Sequence, residues 1–172
     1  MTTFRLQITI ILSLFVFFSL FTYMAFAQNE KGMKISQSHR SAVAEVVEKL
    51  RIVAGKDRNI GEEVREIAQE QEESGERAVE AIESVETRGA LKTFLFGTDY
   101  KNIGVIRSEL VTTDNHIDRL TKAMDRSEDT EVKADLETQI STLEETKTSV
   151  ESFVKENEDK FSLLGWLLRL FN

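Results

Sequence analysis

Apolar positions recur by threes and fours along nearly the whole chain after residue 27. Val43, Val46, Val47, Leu50 and Val53 form one series, and Ile60, Val64, Ile67, Ala78, Ile82 and Val85 a second. Ile103, Ile106, Leu110, Ile117, Leu120 and Met124 form a third, and Leu136, Ile140, Leu143, Val150 and Val154 a fourth. A helix repeats every 3.6 residues, so each series lines one stripe of a helix; a half-buried strand would need alternation by twos, and no stretch shows it. The punctuation agrees. Gly55-Lys56-Asp57-Arg58-Asn59 separates the first two series, Asn59 with Glu62 makes a capping box, Gly97 suits a left-handed helix end, Asp99 can cap the helix after it, and Ser127 to Thr130 is a polar turn. The chain has no proline, which suits long uninterrupted helices.

The pattern predicts four helices over 37–54, 60–96, 99–126 and 130–160, forming one bundle over 37–160. The connections are short, so neighbouring helices should run opposite ways. The fold class expected is all-α: an antiparallel helical bundle or coiled-coil hairpin, entered through a linker over 28–36 and followed by an apolar tail over 161–172. The second stripe is weak in its middle. Gln71, Ser74 and Gly75 occupy positions where large apolar residues belong, which predicts a close approach or loose packing there, as a polar layer or a ligand-lined gap.

Residues 1–27 are of a different kind. Arg5 is the one charge before an apolar run from Leu6 to Ala27, which is interrupted only by Gln7, Thr9, Ser13, Ser19 and Thr22. Such a segment directs export. Ala25 and Ala27 place small residues where a signal peptidase reads, ahead of the polar Gln28-Asn29-Glu30, and this predicts cleavage after Ala27. The run is also long enough for an N-terminal membrane anchor, since about 20 apolar residues span a bilayer. Both outcomes place the body outside the cytoplasm, at the cell surface or in a periplasm.

Charge narrows the partners. The chain carries 22 Lys and Arg against 30 Asp and Glu, a net charge of −8. Because no basic cluster is interleaved with aromatics, a phosphate backbone would be repelled and no nucleic-acid partner is expected. With no cysteine there are no disulfides, thiolate metal sites, cysteine nucleophile or lipidated cysteine.

The aromatic residues are distributed unevenly. Beyond the leader they fall only in Phe94 to Tyr100 and Phe153 to Phe171. At about 1.5 Å per residue the third and fourth predicted helices match as a hairpin of roughly 42 and 46 Å. In an up-down-up-down bundle the leader, the turn around Phe94 to Gly97 and the tail then share one end. In the tail, Ser162, Gly165, Arg169 and Asn172 would form one narrow polar stripe on a helix whose other faces are apolar. Twelve residues are too few to cross a bilayer, for which about 17 are needed. The tail is expected to lie in a membrane interface, with Trp166 at headgroup depth and Arg169 facing phosphates, or to fold back on Phe94, Phe96 and Tyr100 and close the bundle. The residues expected to contact membrane or partner are Phe161, Leu164, Trp166, Leu167, Leu168, Arg169, Phe171, Phe94, Phe96 and Tyr100.

Catalytic and metal motifs are not found. His39 and His116 lack Glu-x-x-His or His-x-x-x-His spacing, and Asp114, His116 and Asp118 point apart on a helix and read as exposed polar residues. Glu70-Gln71-Glu72-Glu73 reads as a solvated face. No cofactor and no catalytic residue is expected.

Four stretches resemble segments of bacterial exported helical proteins of unknown function: Ser38 to Ala44, Asn59 to Arg65, Lys92 to Asn102 and Phe161 to Trp166. That resemblance implies export and a helical fold, and no activity. The function expected is that of a non-enzymatic, membrane-associated structural or interaction protein of the cell envelope. Its partners would be a lipid surface and either a protein or a second copy bound through the coiled coil. The alternatives are a sensory or ligand-binding bundle, which would be expected to continue into a second spanning helix, and a membrane-perturbing protein acting through the tail.

Overall fold

The computed structural model describes residues 33–158, Lys160 and 162–170. All described regular structure is helical. Helix α1 covers residues 33–56, followed by α2 (Gly61–Glu86), α3 (Ala90–Phe96), α4 (Tyr100–Arg126), α5 (Thr130–Glu158) and α6 (Leu163–Leu170). No described helix is long and apolar enough to cross a membrane. The two positions expected at the cleavage site, Ala25 and Ala27, lie outside the described residues.

Two core clusters hold the helices together. One joins Val46, Val47 and Leu50 of α1 to Val64 and Ile67 of α2, Leu120 and Ala123 of α4, and Val132, Leu136 and Leu143 of α5. The other gathers Ala81, Ile82, Val85, Ile103, Ile106, Val150, Phe153 and Val154, with Ile35 at the start of α1 packed against it. Burial of these stripes is the dominant stabilising term, since each fully buried Val, Leu, Ile or Phe contributes about 1.5–3 kcal/mol. Ion pairs across the seams mark the register. On α1 and α2, Arg40 pairs with Glu83 at 3.3 Å and Arg51 with Glu72 at 2.5 Å. Arg126 and Arg119 of α4 reach Glu63 and Glu66 of α2, while Glu109 of α4 holds Arg77. Lys147 meets Asp114 at 2.6 Å between α5 and α4, and Lys56 reaches Glu131 and Asp135 across α1 and α5. In the α1–α2 and α2–α4 seams the numbers of the paired residues fall along one helix as they rise along the other. Mostly exposed pairs of this kind add about 0–1 kcal/mol each, so they report alignment more than they create stability.

Several expected boundaries differ. The helix expected over 60–96 is broken at Thr87-Arg88-Gly89, where Gly89 has φ 78°, a left-handed value that interrupts the helical ladder. The expected linker over 28–36 yields to helix from residue 33 onwards. The Asn59–Glu62 capping box does not form. Ile60 is the N-cap residue of α2 without a side-chain bond, and the Asn59 amide instead donates to the carbonyl of Arg126 at 3.3 Å, tying the α1–α2 turn to the end of α4. Asp99, in contrast, does cap α4, accepting from the Asn102 backbone amide at 3.4 Å and from its side chain at 3.0 Å.

Candidate functional site

The two aromatic windows meet at one end of the molecule. Helix α3 packs against α6, and the loop between α3 and α4 packs against the end of α5. Three local features create this junction. Gly97 ends α3 with φ 82°, and a Cβ placed there would come within 3.1 Å of the Ser162 Cβ, so both its backbone and its surroundings require a glycine. The buried Thr98 hydroxyl donates to the carbonyl of Asn157 and, at 3.3 Å, to that of Glu158. Carbonyls in the last turn of a helix lack partners within the helix, and Thr98 supplies one. Ser162 in turn donates to the carbonyl of Leu95 at 3.2 Å.

Charged side chains brace the same end. Arg88, just after α2, pairs with Asp99 at 3.0 Å, and Arg107 of α4 pairs with Glu158 of α5. Burial of Asp99 opposes its ionisation, but the Asn102 donors and Arg88 outweigh it, and its carboxyl is held below the usual range. Lys160 goes the other way: burial lowers its pKa, against the attraction of Glu86 and Glu156.

On this frame, Phe96 is 59% and Tyr100 68% exposed, and Leu164 and Leu167 on α6 are 37% and 41% exposed. Phe94, Leu95 and Leu163 are half-buried, while Lys92, Lys101 and Arg169 are exposed. Of the residues expected at a contact surface, Phe94, Phe96, Tyr100, Leu164, Leu167 and Arg169 therefore lie on these adjoining elements, with Trp166 and Leu168 also on α6. Phe161 and Phe171 lie outside the described residues. Ile35 packs beneath this end, so α1 begins here too.

A second polar group lies inside the bundle, and here the sequence expectations need correcting. His116 is 3% exposed rather than a surface residue. Its Nδ1 lies 2.7 Å from the Gln71 side-chain oxygen and its Nε2 3.2 Å from Glu70. Gln71 is likewise buried, so the run Glu70 to Glu73 is not wholly a solvated face. Next to them Glu109, also buried, accepts from Ser74 at 2.8 Å and from two nitrogens of Arg77 at 2.8 and 3.0 Å. Burial would raise the Glu109 pKa, but these donors outweigh it and hold the carboxyl low. The His116 pKa is lowered, chiefly by burial.

His39 is the outlier. It is 8% exposed and neither ring nitrogen has a partner among the described residues; burial pushes its pKa down to about 4. It faces a cavity of about 10 Å³ whose walls include Gln71, Ser74, Glu109, Thr113 and Lys147, a volume comparable to one water molecule. Gly75 explains the gap in the α2 stripe as a close approach, because a Cβ there would lie 2.7 Å from Cγ1 of Val43. A sequence signal for the buried polar residues did exist. His39 stands four before Val43, Glu109 three after Ile106 and His116 four before Leu120, so each continues an apolar stripe with a polar side chain.

Among the described residues, no group of three or more His, Asp or Glu side chains could hold a metal ion. Comparison with protein-family models, with curated proteins and with solved structures finds no match.

Proposed function

We propose that this chain is an exported, membrane-associated structural or interaction protein of the bacterial cell envelope, without enzymatic activity. It is an antiparallel four-helix bundle with coiled-coil-like packing. The acidic body is presented to a protein partner or a second copy, and the aromatic end rests on lipid. The opposed residue order in the α1–α2, α2–α4 and α4–α5 seams supports the topology. One observation carries the membrane reading: Phe96, Tyr100, Leu164 and Leu167 stand exposed on adjoining elements at the end where α1 begins. An apolar group collected at one end, on a helix too short to span, is the arrangement of an interfacial contact.

Both core clusters are built from residues between Ile35 and Val154, so Gln28 to Asn172 contains them whole and is the unit to test without the leader. Replacing Phe96, Tyr100, Leu164 and Leu167 together by serine removes exposed side chains, and the melting temperature is expected to stay within a few degrees. Co-sedimentation with phospholipid vesicles is expected to fall at least about tenfold, each lost apolar contact being worth of order 1 kcal/mol. Unchanged co-sedimentation of this variant, or no vesicle binding by the parent protein, would end the membrane reading.

A further inference from the structure

Charge is segregated along the molecule in the same direction as the aromatic residues. The segments that build the aromatic end, residues 33–36, 86–107 and 153–170, carry eight Lys and Arg against five Asp and Glu, a net +3. The remainder of the bundle, 37–85 and 108–152, carries twelve against twenty-four, a net −12. An acidic protein therefore has one cationic pole, and it coincides with the exposed apolar group. Two of the acids at that pole, Asp99 and Glu158, are already engaged by Arg88 and Arg107. Lys92, Lys101 and Arg169 point outward from the elements that carry Phe96, Tyr100, Leu164 and Leu167.

We propose that this pole recognises an anionic lipid surface, with Lys92, Lys101 and Arg169 taking the headgroup phosphates while the four apolar side chains enter the interface. The inference rests on the membrane reading above and adds the lipid class. Screening makes the local sign decisive. At physiological ionic strength charges act over about 8 Å, and most of the acidic body lies farther than that from a membrane touched by the pole. A basic side chain close to an anionic leaflet strengthens binding about fivefold, so three of them outweigh the weak residual repulsion of the body. The apolar contacts act on any lipid; the cations make the choice among them.

The experiment uses Gln28 to Asn172 with two kinds of vesicle, pure phosphatidylcholine and phosphatidylcholine containing about 30% phosphatidylglycerol. Binding to the anionic vesicles is expected to be at least about tenfold tighter at low salt, and the difference is expected to vanish near 0.5 M NaCl, where the screening length is only a few Å. The Lys92→Gln, Lys101→Gln, Arg169→Gln triple variant should keep its binding to phosphatidylcholine and lose the preference. Equal binding to both vesicles overturns this inference and leaves the membrane reading standing. A preference that survives in the triple variant also overturns it, because other groups would then be responsible. Failure to bind either vesicle removes both readings.

Discussion

At the residue scale, His39 is the side chain with the largest unmet demand. A buried imidazole without hydrogen-bond partners costs about 1–3 kcal/mol relative to an apolar group of similar shape. His39→Leu is therefore expected to stabilise the protein at neutral pH by about 1 kcal/mol in urea unfolding, and a loss of stability would show that the ring makes an essential contact. The same residue sets a pH dependence. Its folded-state pKa, about 4, lies below the ordinary 6.5, so the unfolded chain takes up the proton first. Above pH 6.5 the ring is neutral in both states and its titration costs nothing; as pH falls from 6.5 towards 4 it destabilises the fold, by up to about 3 kcal/mol given 1.36 kcal/mol per pKa unit. His116 acts in the same direction. The low-lying carboxylates Asp99 and Glu109 also lose their contributions on acidification, but mainly below pH 4.5, under the window in which the histidines titrate. His39→Leu should flatten the decline between pH 6.5 and 4, and an unchanged slope would sink the assignment.

At the scale of elements, the contact of α1 with α2 turns on Gly75 and Val43. Alanine ordinarily favours a helix over glycine by about 1 kcal/mol. Here a Cβ would stand 2.7 Å from the Val43 side chain, whose β-branched form gives it little freedom to move away. Overpacking of this kind costs about 1–3 kcal/mol, so Gly75→Ala is expected to destabilise despite its propensity. Val43→Ala alone should also destabilise, by removing buried methyl groups. The double variant should be more stable than the sum of the two changes predicts, by at least about 0.5 kcal/mol. Additive effects in denaturant titrations would show that Gly75 and Val43 do not meet in close contact. The break between α2 and α3 belongs to this scale as well. No proline and only isolated glycines interrupt residues 60–96, so the sequence carries the helix across Thr87-Arg88-Gly89, a turn that a single left-handed glycine makes.

At the scale of the whole molecule, separation of a net −12 body from a net +3 pole gives the protein an electrostatic axis along its length. An anionic surface should attract the pole and repel the flank, so the bundle is expected to stand on the membrane rather than lie along it. The 29 residues of α5 rise through about 43 Å, so a standing layer should measure roughly 45 Å by neutron reflectometry. A bundle lying flat would give about half that thickness, and such a value would contradict the proposed orientation. The buried polar layer of Gln71, Ser74, Glu109 and His116 sits between the two apolar clusters and constrains the register of α2 on α4, since a shift of one turn would strand these groups without partners.

The amino-acid sequence alone determined the helical class, the places of most turns, the acidic character and the confinement of aromatic residues to two windows, because periodicity, glycine position and composition act locally. The glycine at 97 and the cap at Asp99 were legible for the same reason. Only the tertiary structure decided that Thr98 closes the end of α5, that Gly89 divides a helix, that Asn59 serves α4 instead of capping α2, and that His39 and His116 turn inward. Thr98, Asn59 and His116 each depend on a partner from another element, and His39 is inside only because the neighbouring helices cover it. The cationic pole has the same origin, since its charges are scattered along the sequence and share one sign of excess only where packing gathers them.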